Sequence, residues 1–464
     1  MSGETYDVIV IGGGNAGLCA ALSARHHARR VLLLERAPRH MRGGNTRHTR
    51  NVRCAHAPGD PYLTGEYTEQ EFLDDLTRVG GGQVNDALAR YVIRESSALP
   101  AWMTEHGVRW QQALAGTLQL GRTNRFFLGG GKALVNAYHD TASRMDITVR
   151  YDACVDDLVI RNGVFHGAAV RRDGAPEIIL GRAVVVASGG FEANLTWLKR
   201  YWGEAADNFI VRGTPYNDGK MLAVLLANGA RQVGDPKGFH AIAVDARAPK
   251  YDGGIATRLD AIPFGIVVNR FAQRFYDEGE DLWPKRYAIW GRLIAEQPGQ
   301  IAYGIVDSGA IDRFLPPMYK PLRGDSVEAL ARAIDLDPPG LVRTVQAFNR
   351  AATGNVTTRF DALDGVATRD LAPPKSNWAR PLDQPPFYAL PLRPGITFTY
   401  LGVGVDETAR VLNGDGRPFA NVYAAGEIMS GNILSSGYLG GFGLTLGSVF
   451  GRLAGREAAA YARA

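Results

Sequence analysis

A glycine-rich segment near the start of the chain carries the clearest chemical signal. Residues 12–17 read GGGNAG, which fits the spacing GxGxxG, and Glu35 follows at the end of the next apolar run. The first glycine permits a tight turn, the second lets the backbone approach a diphosphate, and the third lets a helix pack closely on a strand. The first N–H groups of that helix would face the diphosphate, and the Glu35 carboxylate would bind a ribose. The pattern predicts a dinucleotide site, with a purely structural turn as the alternative, and its candidate residues are Gly12, Gly14, Asn15, Ala16, Gly17, Glu35 and Arg36.

Cationic side chains are concentrated in residues 36–53, which read RAPRHMRGGNTRHTRNVR. One interpretation is a solvated basic loop. Because the segment directly follows the dinucleotide unit, the other is that it folds back toward the cofactor or a polyanionic substrate. No aromatic residues interleave with these cations, so we expect no nucleic-acid partner. The candidates are Gly43, Gly44, Asn45 and Thr46 for the cofactor, and Arg47, His48 and Arg50 for a substrate.

Four later segments place small residues at the end of an apolar run or before a helix. Residues 184–190 read VVVASGG, 421–427 read NVYAAGE, 437–443 read GYLGGFG, and 125–132 read RFFLGGGK. Small residues at such positions let the chain pass close to a bound cofactor, although a helix start without a ligand is the alternative for the last segment. Further cofactor candidates are Ala187, Ser188, Gly189, Gly426, Glu427, Gly441, Gly443 and Leu444.

Strands and helices must alternate to position these residues. An apolar strand at 7–11, a helix at about 18–29 and a second strand at 31–34 form one βαβ unit. Residues 69–138 are predicted to be mainly helical.

The cofactor-type pattern stops in the middle of the chain and returns near its end. We therefore predict an α/β protein with a Rossmann-like domain made of residues 1–238 and 396–464, and with an inserted α+β domain at 239–395.

The composition is that of an ordinary globular protein. The 464 residues are 45% hydrophobic and 21% charged, with a net charge of +5 that permits an anionic ligand. The cysteines Cys19, Cys54 and Cys154 form no CxxC pair, and the histidines lack ligand spacing, so we predict neither a disulfide framework nor a metal site. With no secretory or membrane-spanning segment recognised, we expect a cytoplasmic location.

The order of the cofactor segments resembles that of the flavoprotein subunits of the fumarate reductase and succinate dehydrogenase superfamily. The resemblance rests on 12–17 with Glu35, on 43–45, on 187–190 and on 424–427, and it runs over essentially the whole chain. It implies that the cofactor is FAD, which the βαβ pattern alone does not distinguish from NAD. It also implies that the inserted domain caps the site, and that hydride moves between flavin N5 and a carbon–carbon bond beside carboxylates.

Four longer segments are most similar to the tricarballylate dehydrogenases within that superfamily. They are GGNTRHTRNVR, RTNRFFLGGGKALVNAY, RFYDEGEDLWPKRYAIWGRL and GYLGGFGLTLGSVFGRLAGREA. The resemblance implies oxidation of tricarballylate, or a close polycarboxylate, to the alkene, which for tricarballylate is cis-aconitate. It also implies a membrane-bound iron–sulfur or haem protein as electron acceptor, and therefore peripheral association with the inner membrane through that partner.

The sequence departs from fumarate reductases at positions that matter for their chemistry. Their proton-donating arginine corresponds to Leu282, and their substrate-clamping arginine to Tyr438. The histidine that they carry before the last domain corresponds to Thr397 or Phe398. These differences predict another substrate geometry. We expect non-covalent FAD, because the family's flavin-linked histidine precedes a glycine pair that has no counterpart here, with His48 as the nearest candidate.

Removing hydrogen from a carbon–carbon bond beside carboxylates requires fixed cations and a group that handles the proton. Arginine suits the first task, since its guanidinium binds a carboxylate through two parallel hydrogen bonds. The candidate clamp residues are Arg47, Arg50, Arg125 and Arg286. The candidate proton-handling groups are Tyr287 or Arg286, followed by His240 and Tyr438. A surface charge or a packed aromatic ring is the alternative role for each.

Other functions on the same scaffold stay open. They are reduction of fumarate, reaction with a ketosteroid-like enone, and corrin ring contraction. The density of arginines favours carboxylates, and ring contraction would need cluster-binding cysteines that this sequence lacks. A non-catalytic flavin electron carrier is the alternative of another class, but a carrier has no need of a large inserted domain.

Overall fold

The computed structural model describes residues 5–82, 84–113, 120–172, 175–354 and 362–464. The strands in these ranges are β1 (Tyr6–Ile11), β2 (Val31–Leu34), β3 (Asn51–Arg53), β4 (Trp110–Gln111), β5 (Asn124–Phe127), β6 (Thr148–Arg150), β7 (Cys154–Arg161), β8 (Val164–Arg172), β9 (Ala175–Val186), β10 (Ile210–Val211), β11 (Gln232–Val233), β12 (Phe239–Asp245), β13 (Ile266–Asn269), β14 (Ala302–Asp307), β15 (Leu322–Gly324), β16 (Phe387–Thr399), β17 (Gly402–Val403), β18 (Arg410–Leu412) and β19 (Pro418–Ala424). The α-helices are α1 (Asn15–Arg25), α2 (Glu69–Val79), α3 (Asp86–Ser96), α4 (Leu99–Glu105), α5 (Leu120–Thr123), α6 (Gly130–Arg144), α7 (Leu195–Trp202), α8 (Lys220–Ala227), α9 (Trp283–Arg286), α10 (Trp290–Ala295), α11 (Val327–Ala333), α12 (Pro338–Ala351) and α13 (Phe442–Arg463).

The βαβ unit predicted at the start of the chain is present as β1, α1 and β2. Helix α1 begins at Asn15, earlier than predicted, because the extended backbone of Gly14 lets the helix start directly after the turn. The helix also ends earlier than predicted. The Asp7 carboxylate accepts hydrogen bonds from the backbone N–H groups of Arg29, at 2.9 Å, and of Arg30, at 3.0 Å, and so holds these residues in the turn into β2.

Strand β1 lies inside a sheet that has eight strands among the described residues. Its main path is β18-β19-β9-β1-β2-β6, and β7 and β8 form a hairpin that continues from β9. Strands β19, β9, β1, β2 and β6 are parallel, so the segments that follow them meet at one edge of the sheet. The α/β fold with a Rossmann-like cofactor domain is confirmed.

A second sheet is centred on β16, and most of it comes from the predicted insertion. Strands β12, β14 and β15 pair with β16 in antiparallel directions, and β13 pairs with β14. Strand β10 also pairs with β16, in parallel, although it precedes residue 239. The division into domains at 239 and 395 stays a prediction, since β10 and β16 each join the two parts.

Residues 69–138 contain more extended structure than the sequence pattern predicts. Helices α2, α3, α4 and α6 lie in this region, but β4 and β5 interrupt them and form a small antiparallel sheet with β3. The prediction of a mainly helical region is confirmed, since α2 to α6 hold most of the described residues of this range and the two strands are short interruptions. Gln83 and residues 114–119 lie outside the described residues.

Membrane-spanning and metal-binding features were sought within the described ranges. None of the helices there is both long and apolar enough to cross a lipid bilayer. In the same ranges, His, Cys, Asp and Glu side chains nowhere form a group of three or more that could hold a metal ion.

Candidate functional site

The carboxyl edge of the eight-stranded sheet opens into a large cleft. The segments after β1, β2, β9 and β19 line one side, and residues of β12 and β16 line the other. The lining brings the glycine-rich turn, Glu35 and the segments at 44–46, 187–189 and 425–427 together around one space.

The glycine-rich turn after β1 forms one wall of this cleft. Gly12 has a φ of +106°, and a Cβ atom there would lie 2.4 Å from the Ala187 carbonyl oxygen. A Cβ atom at Gly17 would lie 1.8 Å from the Gly12 carbonyl oxygen, so this glycine serves the packing of α1 on β1. At Gly14 the nearest protein atom to a Cβ would be Thr46 Oγ1, at 3.6 Å. Because Gly14 has no side chain, the turn leaves room for a ligand at this position.

Glu35 stands at the end of β2 and braces the turn. Its Oε2 accepts a hydrogen bond from the backbone N–H of Gly13 at 3.0 Å, and its Oε1 accepts one from Ala37 at 2.8 Å. Burial raises the pKa of this carboxyl. The adjacent Arg36 pairs with Asp218 at 2.5 Å on the rim of the same cleft.

The loop at 43–46 contributes polar side chains to the cleft. Thr46 Oγ1 accepts a hydrogen bond from the Asn15 backbone N–H, the first of helix α1, at 2.9 Å. The Asn45 amide donates to the Thr397 carbonyl oxygen at 2.7 Å and thereby ties this loop to β16. Gly44, Asn45 and Thr46 line the cleft, whereas Gly43 lies behind it, packed against Val135.

Apart from the loop at 43–46, most of the predicted cofactor residues line the cleft as well. They are Gly12, Gly14, Asn15, Ala16, Glu35, Arg36, Ala187, Ser188, Gly189, Gly426, Glu427, Gly441, Gly443 and Leu444. They come from segments far apart in sequence that the parallel strands bring to one edge.

Three arginines lie together at the other end of the cleft. Arg50 precedes β3, Arg212 follows β10, and Arg258 lies between β12 and β13. Burial, together with the nearby Arg258 and Arg212, lowers the pKa of Arg50 to about 10. Burial, together with Arg258, likewise lowers the pKa of Arg212 to about 10. Cations held this close together in a buried place favour an anionic ligand.

Neighbouring groups orient two of these guanidiniums. Arg212 donates from Nε to Thr397 Oγ1 at 2.8 Å. Arg258 donates from Nε to Asp260 at 2.6 Å and lies 4.1 Å from the centre of the Tyr287 ring. The Arg50 Nη2 atom is buried, and no acceptor within the described residues bonds it. A buried donor without a partner is costly, so a ligand acceptor fits at Arg50.

Aromatic side chains face the three arginines. The rings of His240 and Tyr438 stack with centres 3.9 Å apart and planes 6° apart, and Tyr287 meets His240 edge-on at 6.0 Å. Burial, Arg212 and Arg258 hold the pKa of His240 well below its usual value, so this imidazole is neutral at pH 7 in the ligand-free protein. The Tyr438 hydroxyl accepts a hydrogen bond from the backbone N–H of Gly443, in the first turn of α13, at 2.9 Å.

The glycine turn and the start of α1 fit the diphosphate of a dinucleotide. Gly14 precedes the helix and has no side chain that could cap it. The helix start therefore offers N–H groups and the positive end of the helix dipole to an anion. Glu35 lies at the same end, where a ribose would follow.

Comparison with known proteins agrees with this geometry. A family model described as the FAD binding domain matches residues 7–444, which is most of the chain. The chain belongs to this FAD-binding flavoprotein family. FAD is therefore the cofactor of this protein.

Curated relatives place the flavoprotein in the fumarate reductase and succinate dehydrogenase superfamily. It is 26% identical over 471 residues to NADH:fumarate oxidoreductase of Klebsiella pneumoniae (strain 342), covering 99% of this chain and 48% of that protein. It is 28% identical over 484 residues to a probable fumarate reductase of Shewanella frigidimarina (strain NCIMB 400), covering 99% of this chain and 76% of that protein. The chain thus spans about half the length of the first relative.

A solved structure shows the same fold. It is the open conformation of a flavocytochrome c3 fumarate reductase, with a TM-score of 0.75 and 24% identity over 99% of this chain and 79% of that chain.

The flavoprotein brings together five of the eight predicted substrate and proton-handling residues. Those that line the cleft are His48, Arg50, His240, Tyr287 and Tyr438. Within this group His48 pairs with Asp252, and burial lowers the pKa of its imidazole to about 4. Non-covalent binding of FAD stays a prediction.

The other three predicted residues lie outside the cleft lining. Arg286 donates to Glu280 at 2.7 Å and to the Tyr276 hydroxyl at 2.9 Å. Arg125 pairs with Asp60 beside the Trp110 ring. Arg47 donates to the His40 carbonyl oxygen at 3.2 Å. Each guanidinium already has a partner that is not part of the cleft lining.

Sequence reasoning missed two of the three cleft arginines. Arg212 follows a strand of two residues, and Arg258 lies in an irregular segment. Gly213 follows Arg212 and Gly253 and Gly254 precede Arg258, but these glycines fit no cofactor-binding spacing, so no motif separates the two arginines from the others of the chain. Their role is visible only because β10 and β12 both pair with β16.

Proposed function

We propose that this flavoprotein oxidises a CH–CH bond of a small tricarboxylate, with tricarballylate as the substrate and cis-aconitate as the product. The observation that carries the proposal is the group of Arg50, Arg212 and Arg258 at one end of the FAD cleft. Three guanidiniums match three carboxylates, and each can bind its carboxylate through two hydrogen bonds. An apolar ligand such as a steroid would leave the buried Arg50 Nη2, which no acceptor among the described residues bonds, without a partner.

FAD, when bound, accepts the hydride at N5. Arg50, Arg212 and Arg258 hold the carboxylates and so fix the carbon–carbon bond in the cleft. One carbon loses the hydride, the neighbouring carbon loses a proton, and the double bond forms between them. The arginines also stabilise the negative charge that develops beside a carboxylate as the proton leaves.

His240 is the residue that we propose as the proton acceptor. It is neutral in the ligand-free protein, and within the described residues its buried Nδ1 atom has no hydrogen-bond partner. The carboxylates of a bound substrate would offset the positive charge of Arg212 and Arg258. The pKa of His240 would then rise toward its usual value, which makes the imidazole a better base in the complex.

A His240→Gln variant is expected to retain FAD and to lose about 10²- to 10⁴-fold in kcat. The wild-type kcat should rise with pH through the pKa of His240 in the complex, because only the neutral imidazole accepts a proton, and this rise should be absent from the variant. Profiles of kcat against pH, measured with an artificial electron acceptor, test this. His27→Gln, at an exposed position, is the matched control. A variant that keeps the wild-type pH profile would exclude His240 as the base.

Anaerobic titration of the FAD-loaded protein tests the proposed substrate. Tricarballylate should bleach the visible flavin absorption, whereas succinate, with one carboxylate fewer, should bleach it far less. Bleaching by succinate alone, or reoxidation of reduced protein by fumarate alone, would assign the site to dicarboxylates. A flavin that stays oxidised with every polycarboxylate would reject the proposal while leaving the FAD assignment intact.

The reduced flavin must pass its electrons on, and we propose a membrane-bound iron–sulfur or haem protein as the acceptor. We also propose that residues 239–395 cap the cleft, since His240, Arg258 and Tyr287 come from this range. Full turnover with dissolved oxygen alone, unaltered by added membranes, would contradict the proposed partner.

A further inference from the structure

Two glutamates face each other behind the cofactor cleft. Glu192 follows β9 and Glu427 follows β19, and these strands are parallel neighbours whose carboxyl ends meet at one edge. Glu192 is fully buried, and Glu427 is 9% exposed where it lines the cleft. The substrate proposal uses neither of them.

Each carboxyl group binds to different parts of the chain. Glu192 Oε1 accepts hydrogen bonds from the amides of Asn45, at 2.6 Å, and Asn217, at 2.7 Å. Glu427 Oε1 accepts hydrogen bonds from the Thr399 backbone N–H at 2.8 Å and from its hydroxyl at 3.2 Å. The pair therefore connects the cofactor loop at Asn45 with the end of β16.

The second carboxyl oxygen of Glu192 lacks a hydrogen-bond donor among the described residues. This oxygen, Oε2, is buried. Glu427 Oε1 lies beside Gly190, two residues before Glu192. Burial raises the pKa of both carboxyls, and repulsion from Glu192 helps to raise that of Glu427 well above its usual value. Two like charges in contact in a buried place are not both ionised. A proton on Glu427 supplies the donor that Glu192 lacks.

We propose that Glu427 is a carboxylic acid that shares its proton with the Glu192 carboxylate, and that this pair positions Asn45 and Thr399 at the FAD cleft. The inference depends on the FAD-binding family and is independent of the proposed substrate. Asn45 also joins the pair to the segment after β10, since its Oδ1 accepts a hydrogen bond from the Thr214 backbone N–H at 2.8 Å. The proton keeps the pair at a single negative charge beside an anionic cofactor.

The other titratable groups near the pair keep their charge state at pH 7 in the ligand-free protein. The electrostatic neighbours of Glu427 include Tyr400 and Tyr438, and burial raises the pKa of both phenols, so they stay neutral. Arg212, which bonds Thr397 on β16, stays charged below its pKa of about 10. His240, stacked on Tyr438, stays neutral in the ligand-free protein.

The shared proton also makes stability depend on pH with a definite sign. The unfolded chain releases the Glu427 proton near the ordinary carboxyl pKa of 4.5, whereas the folded protein keeps it. Between these two pKa values the folded state holds one proton more, so the stability that this proton contributes is lost as pH rises. The unfolding equilibrium constant should increase by up to about tenfold per pH unit from this group alone. The increase should be absent from a Glu427→Gln variant.

Infrared spectroscopy of the FAD-loaded protein tests the proposal directly. The wild type should show a protonated carboxyl C=O band at pH 7 that shifts in deuterium oxide. Glu427→Gln should lose this band, and its amide keeps a donor for Glu192 and an acceptor for Thr399. Glu407→Gln, at an exposed position, should keep the band and is the matched control.

A second variant covers the case in which Glu427→Gln does not fold. Glu192→Gln removes the carboxylate that receives the proton, so the band should move or disappear. A band that is unchanged in whichever variant folds overturns the proposal. Should neither variant fold, the wild type alone decides, since absence of a protonated carboxyl band at pH 7 overturns it equally. Failure of tricarballylate oxidation would leave all these results unaffected.

Discussion

An Arg212→Met variant is expected to lose between about 30-fold and about 5 × 10³-fold in kcat/KM for tricarballylate and to retain its FAD. Arg212 is 8% exposed, and its bond to Thr397 orients the guanidinium in the cleft. Removing one partner of a buried, hydrogen-bonded ion pair costs about 2–5 kcal/mol. The loss is large because the substrate carboxylate would still be desolvated but would have no cation to bind.

Two further variants identify the cause of the loss. Arg212→Lys keeps the charge but cannot make two parallel hydrogen bonds, so most of the loss should persist. Arg292→Met removes an arginine that is 43% exposed and pairs with Glu296, so kcat/KM should stay near the wild-type value. Steady-state kinetics and the FAD absorbance of each purified protein provide the measurements. Near-normal kcat and KM in Arg212→Met would show that Arg212 does not bind the substrate.

Gly14→Ala is expected to weaken FAD binding by up to about 150-fold with little change in the stability of the apoprotein. The Gly14 backbone is extended, with φ of −77°, so alanine fits without strain. The new Cβ atom would lie 3.6 Å from the nearest protein atom but would stand in the cleft, where the diphosphate must approach the turn. Overpacking of this kind costs about 1–3 kcal/mol, and here the cost falls on the complex.

Two other glycines serve as comparisons for this result. Gly12→Ala should destabilise the apoprotein itself, since its Cβ atom would meet the Ala187 carbonyl oxygen at 2.4 Å. Gly229 has a φ of +84° with no described atom within 4 Å of a Cβ, so Gly229→Ala tests backbone strain alone and should not alter FAD affinity. Calorimetric FAD titrations and chemical unfolding separate the three effects. Equal loss of apoprotein stability in Gly14→Ala and Gly12→Ala would contradict this assignment.

Much of the cofactor site could be predicted from the sequence because its signals are local. The turn at 12–17 requires glycine for reasons that act within a few residues, and Glu35 follows the next strand at the spacing of a βαβ unit. The small residues at the ends of β9 and β19 are likewise visible as interruptions of apolar runs. Gly17 packs α1 on β1 as the motif predicts, whereas Gly43, selected as a cofactor residue, packs against Val135.

The substrate end could not be predicted in the same way. Arg286 and Arg125 had suggestive neighbours in sequence, but Glu280 and Asp60 bind them outside the cleft lining. Arg212 and Arg258 had no such neighbours, and the structure places them beside Arg50. The pairing of Glu192 with Glu427 was equally hidden, since it depends on two parallel strands that are distant in the sequence.

The sequence by itself determined the βαβ unit, the dinucleotide turn and the resemblance to an FAD-binding family. Turn chemistry, hydrophobic periodicity and glycine spacing act between residues that are near one another in the chain. The tertiary structure alone decided which arginines line the cleft and which buried carboxyls are neighbours. Those properties depend on burial and on contacts between distant segments, and the pairing of β10 and β12 with β16 and of β9 with β19 creates both.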